Sequence, residues 1–243
     1  MSSLYSPASN SLMEICMVSA GIGGAIGILS ISYFHADSKY SNLIIYGLFL
    51  SLYFQIEFSF TYLFNPTRVT SKSFLIYGNR GNLQFWAMQT FAVWEYLVHR
   101  SSIISFVTNC FLDNQVIPRI GIAMIVSGLI IRAWAIQTCG SSFSHLIETE
   151  NRRKDHVLVT SGIYSILRHP SYFGFWCFAI GAQLLCINWL NLIANIVILA
   201  HFFTVRIEFE EYFLIHKLFH EEYVEYKKKV GVWIPFVRIK DNI

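Results

Sequence analysis

A chain of 243 residues of which 54% are hydrophobic and only 14% charged cannot cover itself in polar surface, since soluble domains carry roughly 25% charged residues. A net charge of +3, with no basic stripe interleaved with aromatics, gives no footing for nucleic acid. The five cysteines show no C-x-x-C spacing, which excludes a zinc or redox motif; they read as buried thiols acting as small hydrophobes.

A bilayer core about 30 Å thick needs roughly 20 apolar residues in one helix. Residues 1–10 lack a basic stretch, so the first apolar run, 13–34, reads as a retained span rather than a signal peptide. Within it Gly21, Gly23, Gly24 and Gly27 predict a small-residue face for a neighbouring helix, not a nucleotide loop. A second span follows at 43–64. A third starts at Leu83 and ends at Val98 or Val107, with Glu95, His99 and Arg100 inside it. The fourth covers 116–138. The runs 172–187 and 189–205, parted only by Asn188, predict a tight helical hairpin.

The expected fold is therefore all-α: a single polytopic membrane domain over 1–243 with about six transmembrane helices. It divides into an N-terminal bundle at 13–138 and a catalytic region at 139–243 with a C-terminal hairpin. With the N-terminus in the cytosol, segments 65–82, 139–171 and 206–243 carry thirteen lysines and arginines, setting aside Arg206 at the membrane edge, against three on the other side, Lys39, Arg100 and Arg119. The positive-inside rule then puts both termini and the catalytic face in the cytosol.

Chemistry concentrates between Phe143 and Tyr226. Proline suits the first helical turn and forces its predecessor to extend, so His169-Pro170 places His169 at the N-terminus of a membrane helix, where unpaired N–H groups favour an anion. Arg168 adds charge there, and Gly174 one turn on leaves room for a ligand. Across the hairpin, Arg206 and Glu210 share a helix face, and Glu208, Glu210 and Glu211 set an acidic cluster opposite the basic corner. That pairing suits a zwitterion. Tyr164 and Tyr172 add rings for a sulfonium. The plain alternatives are a helix cap at His169, an Arg206–Glu210 surface pair worth a few tenths of a kcal/mol and interfacial tyrosines.

From Gly140 to Phe236 the chain resembles the isoprenylcysteine carboxyl methyltransferase family. The likeness rests on Phe143-Ser144-His145, Arg168-His169-Pro170-Ser171-Tyr172-Phe173-Gly174, Arg206-Ile207-Glu208-Phe209-Glu210-Glu211-Tyr212, Glu221-Glu222-Tyr223, Glu225-Tyr226 and Ile234-Pro235-Phe236. It implies methylation, by S-adenosyl-L-methionine, of the terminal carboxylate of a prenylated (farnesyl or geranylgeranyl) cysteine. Partners would be C-a-a-X-processed proteins such as small GTPases, or lipidated peptides, with membrane lipid around them; the endoplasmic reticulum is the implied location and no metal is called for. The implied donor site comprises Glu148, His156, Val157, Leu158, Val159, Tyr164, His169, Pro170, Ser171, Tyr172 and Glu210, with Glu148 aligned to within one or two positions. Arg206 matches the residue for the substrate carboxylate.

A membrane phospholipid-amine methyltransferase would share the donor corner but not need Arg206 to hold an anionic nucleophile. A sterol reductase shares an R-H-x-x-Y corner, binds NADPH and lacks the 208–236 pattern. A transporter or structural protein would bind no donor, and the interrupted helix pairs of transporters are not evident. Glu57, Glu95, Arg132 and His201 are further polar groups in apolar runs; Arg132 is expected to snorkel to the membrane edge, Glu95 and His99 to pair, and none receives a catalytic role.

Overall fold

Helices form where the apolar runs predict them. The structure, a computed structural model, describes residues 11–66, 69–78, 81–101, 115–147 and 157–239. In chain order α1 is Leu12–His35, α2 Ser41–Phe64, α3 Asn82–His99, α4 Val116–Cys139, α5 Pro170–Cys186 and α6 Trp189–Phe213. A π-turn, Leu214–Phe219, leads to the short α7, Glu221–Lys229. No strand occurs among the described residues. Four segments are long and apolar enough to cross a membrane, Leu12–His35, Ser38–Phe64, Val116–Ser142 and Trp189–Phe219; α3 and α5 are not among them. Leu12, Ile28, Ile31, Phe34, Leu190, Ile193 and Val197 are exposed along these helices, as lipid-facing residues should be. Arg68, Arg80, Cys110, Arg152, Arg153, Lys154 and Lys240 lie outside the described residues.

The tightest seam joins α4 to α5, and glycine makes it possible. A Cβ on Gly121 would stand 2.4 Å from the Leu185 amide nitrogen, and one on Gly128 2.5 Å from the Gly174 carbonyl oxygen. Gly174 and Gly181 face back at the Gly128 and Gly121 carbonyls, each at 2.7 Å. Two glycines seven residues apart on each antiparallel helix thus bring the backbones into contact, as small residues do in lipid. This corrects two expectations. A Cβ on Gly21, Gly23, Gly24 or Gly27 would meet nothing within 4 Å, so α1 presents no glycine seam. Gly174 serves helix packing, not ligand space.

At the far end of this pair the chain turns through Ile187, whose φ of 57° lies in the left-handed region, unusual for a β-branched residue. Asn188 Nδ2 donates to the Ala92 carbonyl at 2.9 Å. Both Glu95 carboxylate oxygens accept first-turn N–H groups of α6, from Leu190 and Asn191, each at 2.8 Å. These are the donors a helix start leaves unpaired, and the negative charge suits its dipole. His99 stands 3.9 Å from Glu95, so the main partner of Glu95 is the helix end.

A core of Tyr46, Tyr53, Phe54, Phe74, Tyr96, Ile125, Leu129 and Phe178 unites α2 to α5 with the 71–74 turn. A second cluster, Phe203, Ile207, Ala179, Leu199 and Ile234, lays the C-terminal tail along α5 and α6. Cys177 and Cys186 are buried free thiols, but Cys16 is exposed on α1, against expectation.

Candidate active site

Pro170 occupies the first turn of α5 with His169 as the residue before it, φ −126°. The helix therefore starts at the predicted place and sets Ser171 and Tyr172 one and two positions inside it. The opposite wall is α6, which continues beyond Val205, so Arg206 and Glu210 sit on unbroken helix.

Tyr172 is the meeting point. Arg206 Nε donates to its hydroxyl at 2.8 Å, and that hydroxyl donates to Glu210 Oε2 at 2.5 Å. The guanidinium also lies over the Tyr172 ring, 5.4 Å from its centroid, and Nη2 donates to the His145 carbonyl oxygen at 2.9 Å. Arg206 and Glu210 are thus coupled through a phenol rather than paired directly. Among the described residues both bonded partners of the guanidinium are neutral oxygens. On its other faces the Tyr172 ring stacks with His169 (5.5 Å, 5°) and Phe203 (5.3 Å, 27°).

The basic corner is differently arranged. His169 Nε2 lies 3.1 Å from Glu211 Oε1. Arg168 Nε stands 2.7 Å from the same oxygen as an ion pair lacking hydrogen-bond alignment. Lys227 Nζ is 3.3 Å from Oε2, and the Tyr223 hydroxyl donates to Oε1 at 3.2 Å. Arg168 Nη1 further donates to the Lys227 and Val230 carbonyls. Arg168, His169 and Glu211 are all buried. The acidic residue opposite this corner is therefore already bound within it.

The segment 140–147 floors the site. Asn65 Nδ2 donates to the Phe143 carbonyl at 2.5 Å, and the Val157 amide donates to Ser142 Oγ at 3.2 Å. Burial holds the His145 imidazole down to about 4, with Arg132 and Arg206 pushing the same way and Glu57 opposing; it is neutral near pH 7. Ser142, Ser144, Leu146, Ile147, Glu210, Leu214 and Leu218 line a cavity of about 60 Å³ beside it.

Of the residues the sequence singles out, Tyr172, Arg206 and Glu210 come together, with His169 stacked behind. Ser171 lies alongside, its carbonyl and hydroxyl both accepting Arg132 Nη1 at 2.9 Å. Leu158 packs on the Leu218–Phe219–Tyr223–Tyr226 cluster, and Val159 is half-buried next to it. Tyr164 packs beside Ala135, Ile163 and Leu167, its carbonyl taking the Tyr226 hydroxyl at 2.6 Å. Glu148 and His156 lie outside the described residues.

Sequence reasoning missed a group beneath the site. Arg132 does not snorkel; it is 7% exposed and pairs with Glu57, 0% exposed, through Nε to Oε1 and through Nη2 to Oε2 at 3.0 Å. Both stand out in the sequence as intramembrane charges, but 75 residues of separation hide that they are partners.

A family model described as "Isoprenylcysteine carboxyl methyltransferase (ICMT) family" matches residues 121–216. The protein-S-isoprenylcysteine O-methyltransferase of Saccharomyces cerevisiae is 39% identical over 229 residues, covering 94% of this chain and 93% of that protein. The chain belongs to the isoprenylcysteine carboxyl methyltransferase family. The Schizosaccharomyces pombe protein of the same name is 32% identical, with coverage of 94% and 97%. A solved structure of the eukaryotic intramembrane Ras methyltransferase ICMT matches with a TM-score of 0.83 at 28% identity, over 93% of this chain and 78% of that one. The family likeness therefore extends well before Gly140, and the chain is an integral membrane protein.

Proposed function

We propose that this chain transfers a methyl group from S-adenosyl-L-methionine to the terminal carboxylate of a prenylated cysteine, with Arg206 as the carboxylate's partner. One observation carries the assignment of Arg206: a half-buried guanidinium is held by two neutral oxygens, with Nη1 taking no hydrogen bond among the described residues. Such a group suits an arriving anion, and its planar fork matches a carboxylate.

The residues around the cavity fit the donor's polar end. Glu210 offers a carboxylate to an ammonium, and Ser142 and Ser144 offer hydroxyls, beside an apolar wall of Leu146, Leu214 and Leu218. A volume near 60 Å³ falls well short of the roughly 300 Å³ or more of whole-ligand pockets, so these residues would take the amino-acid end. Val157, Leu158, Val159 and Tyr164, with Glu148 and His156, would serve the rest; His169, Pro170 and Ser171 set Tyr172. When bound, the donor supplies a methyl group on a sulfonium.

The substrate carboxylate, with a pKa near 3.5, is already ionised, so no general base is needed. Arg206 orients it, the Tyr172 hydroxyl ties that arginine to Glu210, and the apolar surroundings keep water from the nucleophile. Prenyl chains of farnesyl or geranylgeranyl length would approach from the lipid and the donor from the cytosol. Six crossings are read from the apolar runs, both termini and the 139–171 loop are assigned to the cytosol on the lysine and arginine bias, and the endoplasmic reticulum is the location the family implies. Cysteine-accessibility labelling should place Ser161 and Lys228 on the same side; opposite sides would overturn this topology.

The reaction is tested by methyl transfer from labelled S-adenosylmethionine to N-acetyl-farnesylcysteine in membranes. Arg206→Lys keeps the charge and loses the fork, so donor binding and fold should persist while kcat/KM falls about tenfold, about 1.4 kcal/mol of transition-state stabilisation. A substrate amidated at its carboxyl should be inert. Normal methylation by Arg206→Lys would remove Arg206 from the role.

A further inference from the structure

Behind Arg206 lies a buried set of polar contacts that the reaction as described does not use. Glu57 of α2 binds Arg132 of α4 with both carboxylate oxygens. The remaining terminal nitrogen of Arg132 reaches α5, donating to the carbonyl and hydroxyl of Ser171, the residue before Tyr172. Glu57 Oε2 also lies 3.9 Å from His145 Nδ1, and His145 Nε2 lies 3.1 Å from Thr61 Oγ1, one helical turn on from Glu57. The His145 carbonyl holds Arg206 Nη2. Tyr172 is thus backed, through Ser171, by the Arg132–Glu57 pair, and His145 is backed by Thr61, whose hydroxyl donates to the Glu57 carbonyl on the same helix at 2.7 Å. The route through Arg132 is reinforced by the Gly128–Gly174 contact, since a Cβ at Gly174 would stand 3.0 Å from the Arg132 amide nitrogen.

We propose that Glu57, Arg132 and His145 are positioning residues that set the guanidinium of Arg206 through its two hydrogen-bond partners. The proposal rests on the reading of Arg206 as the carboxylate's partner. A role in holding helices together does not account for the arrangement. The apolar core already joins α2, α4 and α5, and well-packed hydrophobic residues in place of a buried ion pair are often neutral or stabilising. What an apolar replacement lacks is direction: two fixed oxygens for one arginine. Placing a reacting group to within a fraction of an ångström has large leverage on rate.

The test is a double-mutant cycle between Glu57→Gln and Arg206→Lys, read as kcat, KM and separately titrated S-adenosylmethionine affinity. In the wild-type background Glu57→Gln should lower kcat about tenfold with donor affinity unchanged, and in the Arg206→Lys background it should cost less than about twofold, because coupled sites are non-additive. A merely structural role predicts the same loss in both backgrounds. Should Glu57→Gln not fold, Glu57→Gln/Arg132→Met removes both charges together and is expected to fold, bind donor and show the same kcat loss and the same non-additivity. Full kcat in that paired variant, equal losses in the two backgrounds, or failure of both variants to fold would overturn the network alone. Normal activity of Arg206→Lys by itself would instead overturn the clamp on which the network depends.

Discussion

Glu210 and Glu211 are adjacent in the chain and have opposite fates. Glu211, 3% exposed, is enclosed by Arg168, His169, Lys227 and Tyr223. Glu210 gives one oxygen to the Tyr172 hydroxyl and borders a cavity. Successive residues of a helix point about 100° apart, which is enough to send one carboxylate into a closed ion cluster and the other to the wall of a cavity. The closed region fastens α7 and the tail onto α5 and α6, with both Glu211 oxygens held against cations inside it. The open region holds its arginine with neutral oxygens and keeps its carboxylate in reach of a small molecule. Charge density alone does not mark a binding site; what marks it is charge left with exchangeable partners.

The contrast can be broken by deleting each carboxylate in turn. Glu211→Ala leaves Arg168 buried without the carboxylate it pairs with, and breaking such a buried pair costs about 3–5 kcal/mol. Thermal unfolding in detergent should show a large fall in midpoint. Glu210→Ala should leave the midpoint close to wild type and weaken S-adenosylmethionine binding about tenfold, as loss of a charge-assisted contact of about 1.4 kcal/mol would. A donor-binding loss from Glu211→Ala with an intact fold, or an unfolded Glu210→Ala, would reverse the assignment of the two regions.

A smaller effect sharpens the picture at the floor of the open region. His145 is neutral in the fold, its pKa lowered to about 4 chiefly by burial, against about 6.5 when unfolded. Between these values the unfolded chain binds more protons, so stability is full above about pH 6.5 and declines as pH falls towards 4. From pH 6.5 to 5.5 the loss is about 1 kcal/mol. His145→Gln, which cannot protonate, should flatten that slope in unfolding curves taken across the window; an unchanged slope would mean that another group carries it.

Much of this was legible in the chain itself. Helix positions followed from apolar run lengths, and α2, α4 and α5 begin or end within about two residues of the predicted limits. Pro170 fixed the start of α5 because its ring restricts the backbone locally. Tyr172, Arg206 and Glu210 were identified by order and spacing, and the short turn at Ile187–Asn188 made their meeting geometrically available. Other expectations failed for reasons no local pattern holds. The glycines of α1 look at least as suited to a seam as those of α4 and α5, yet only the latter pair have a facing backbone. Arg168, His169 and the acidic residues opposite them read together as a ligand clamp until Glu211 is seen inside it.

The sequence by itself determined what each segment is: which runs are apolar enough for lipid, where the helices start, and where the polar side chains gather. These depend on hydrophobicity and backbone restriction, which act over a few neighbouring residues. Only the tertiary structure decided who partners whom. Glu57 finds Arg132 across 75 positions, Arg206 finds His145 across 61, and Glu211 rather than Glu210 closes on Arg168 and His169. In a low-dielectric interior every buried charge must be met by another group, and which one meets it is set by the packing of helices against one another.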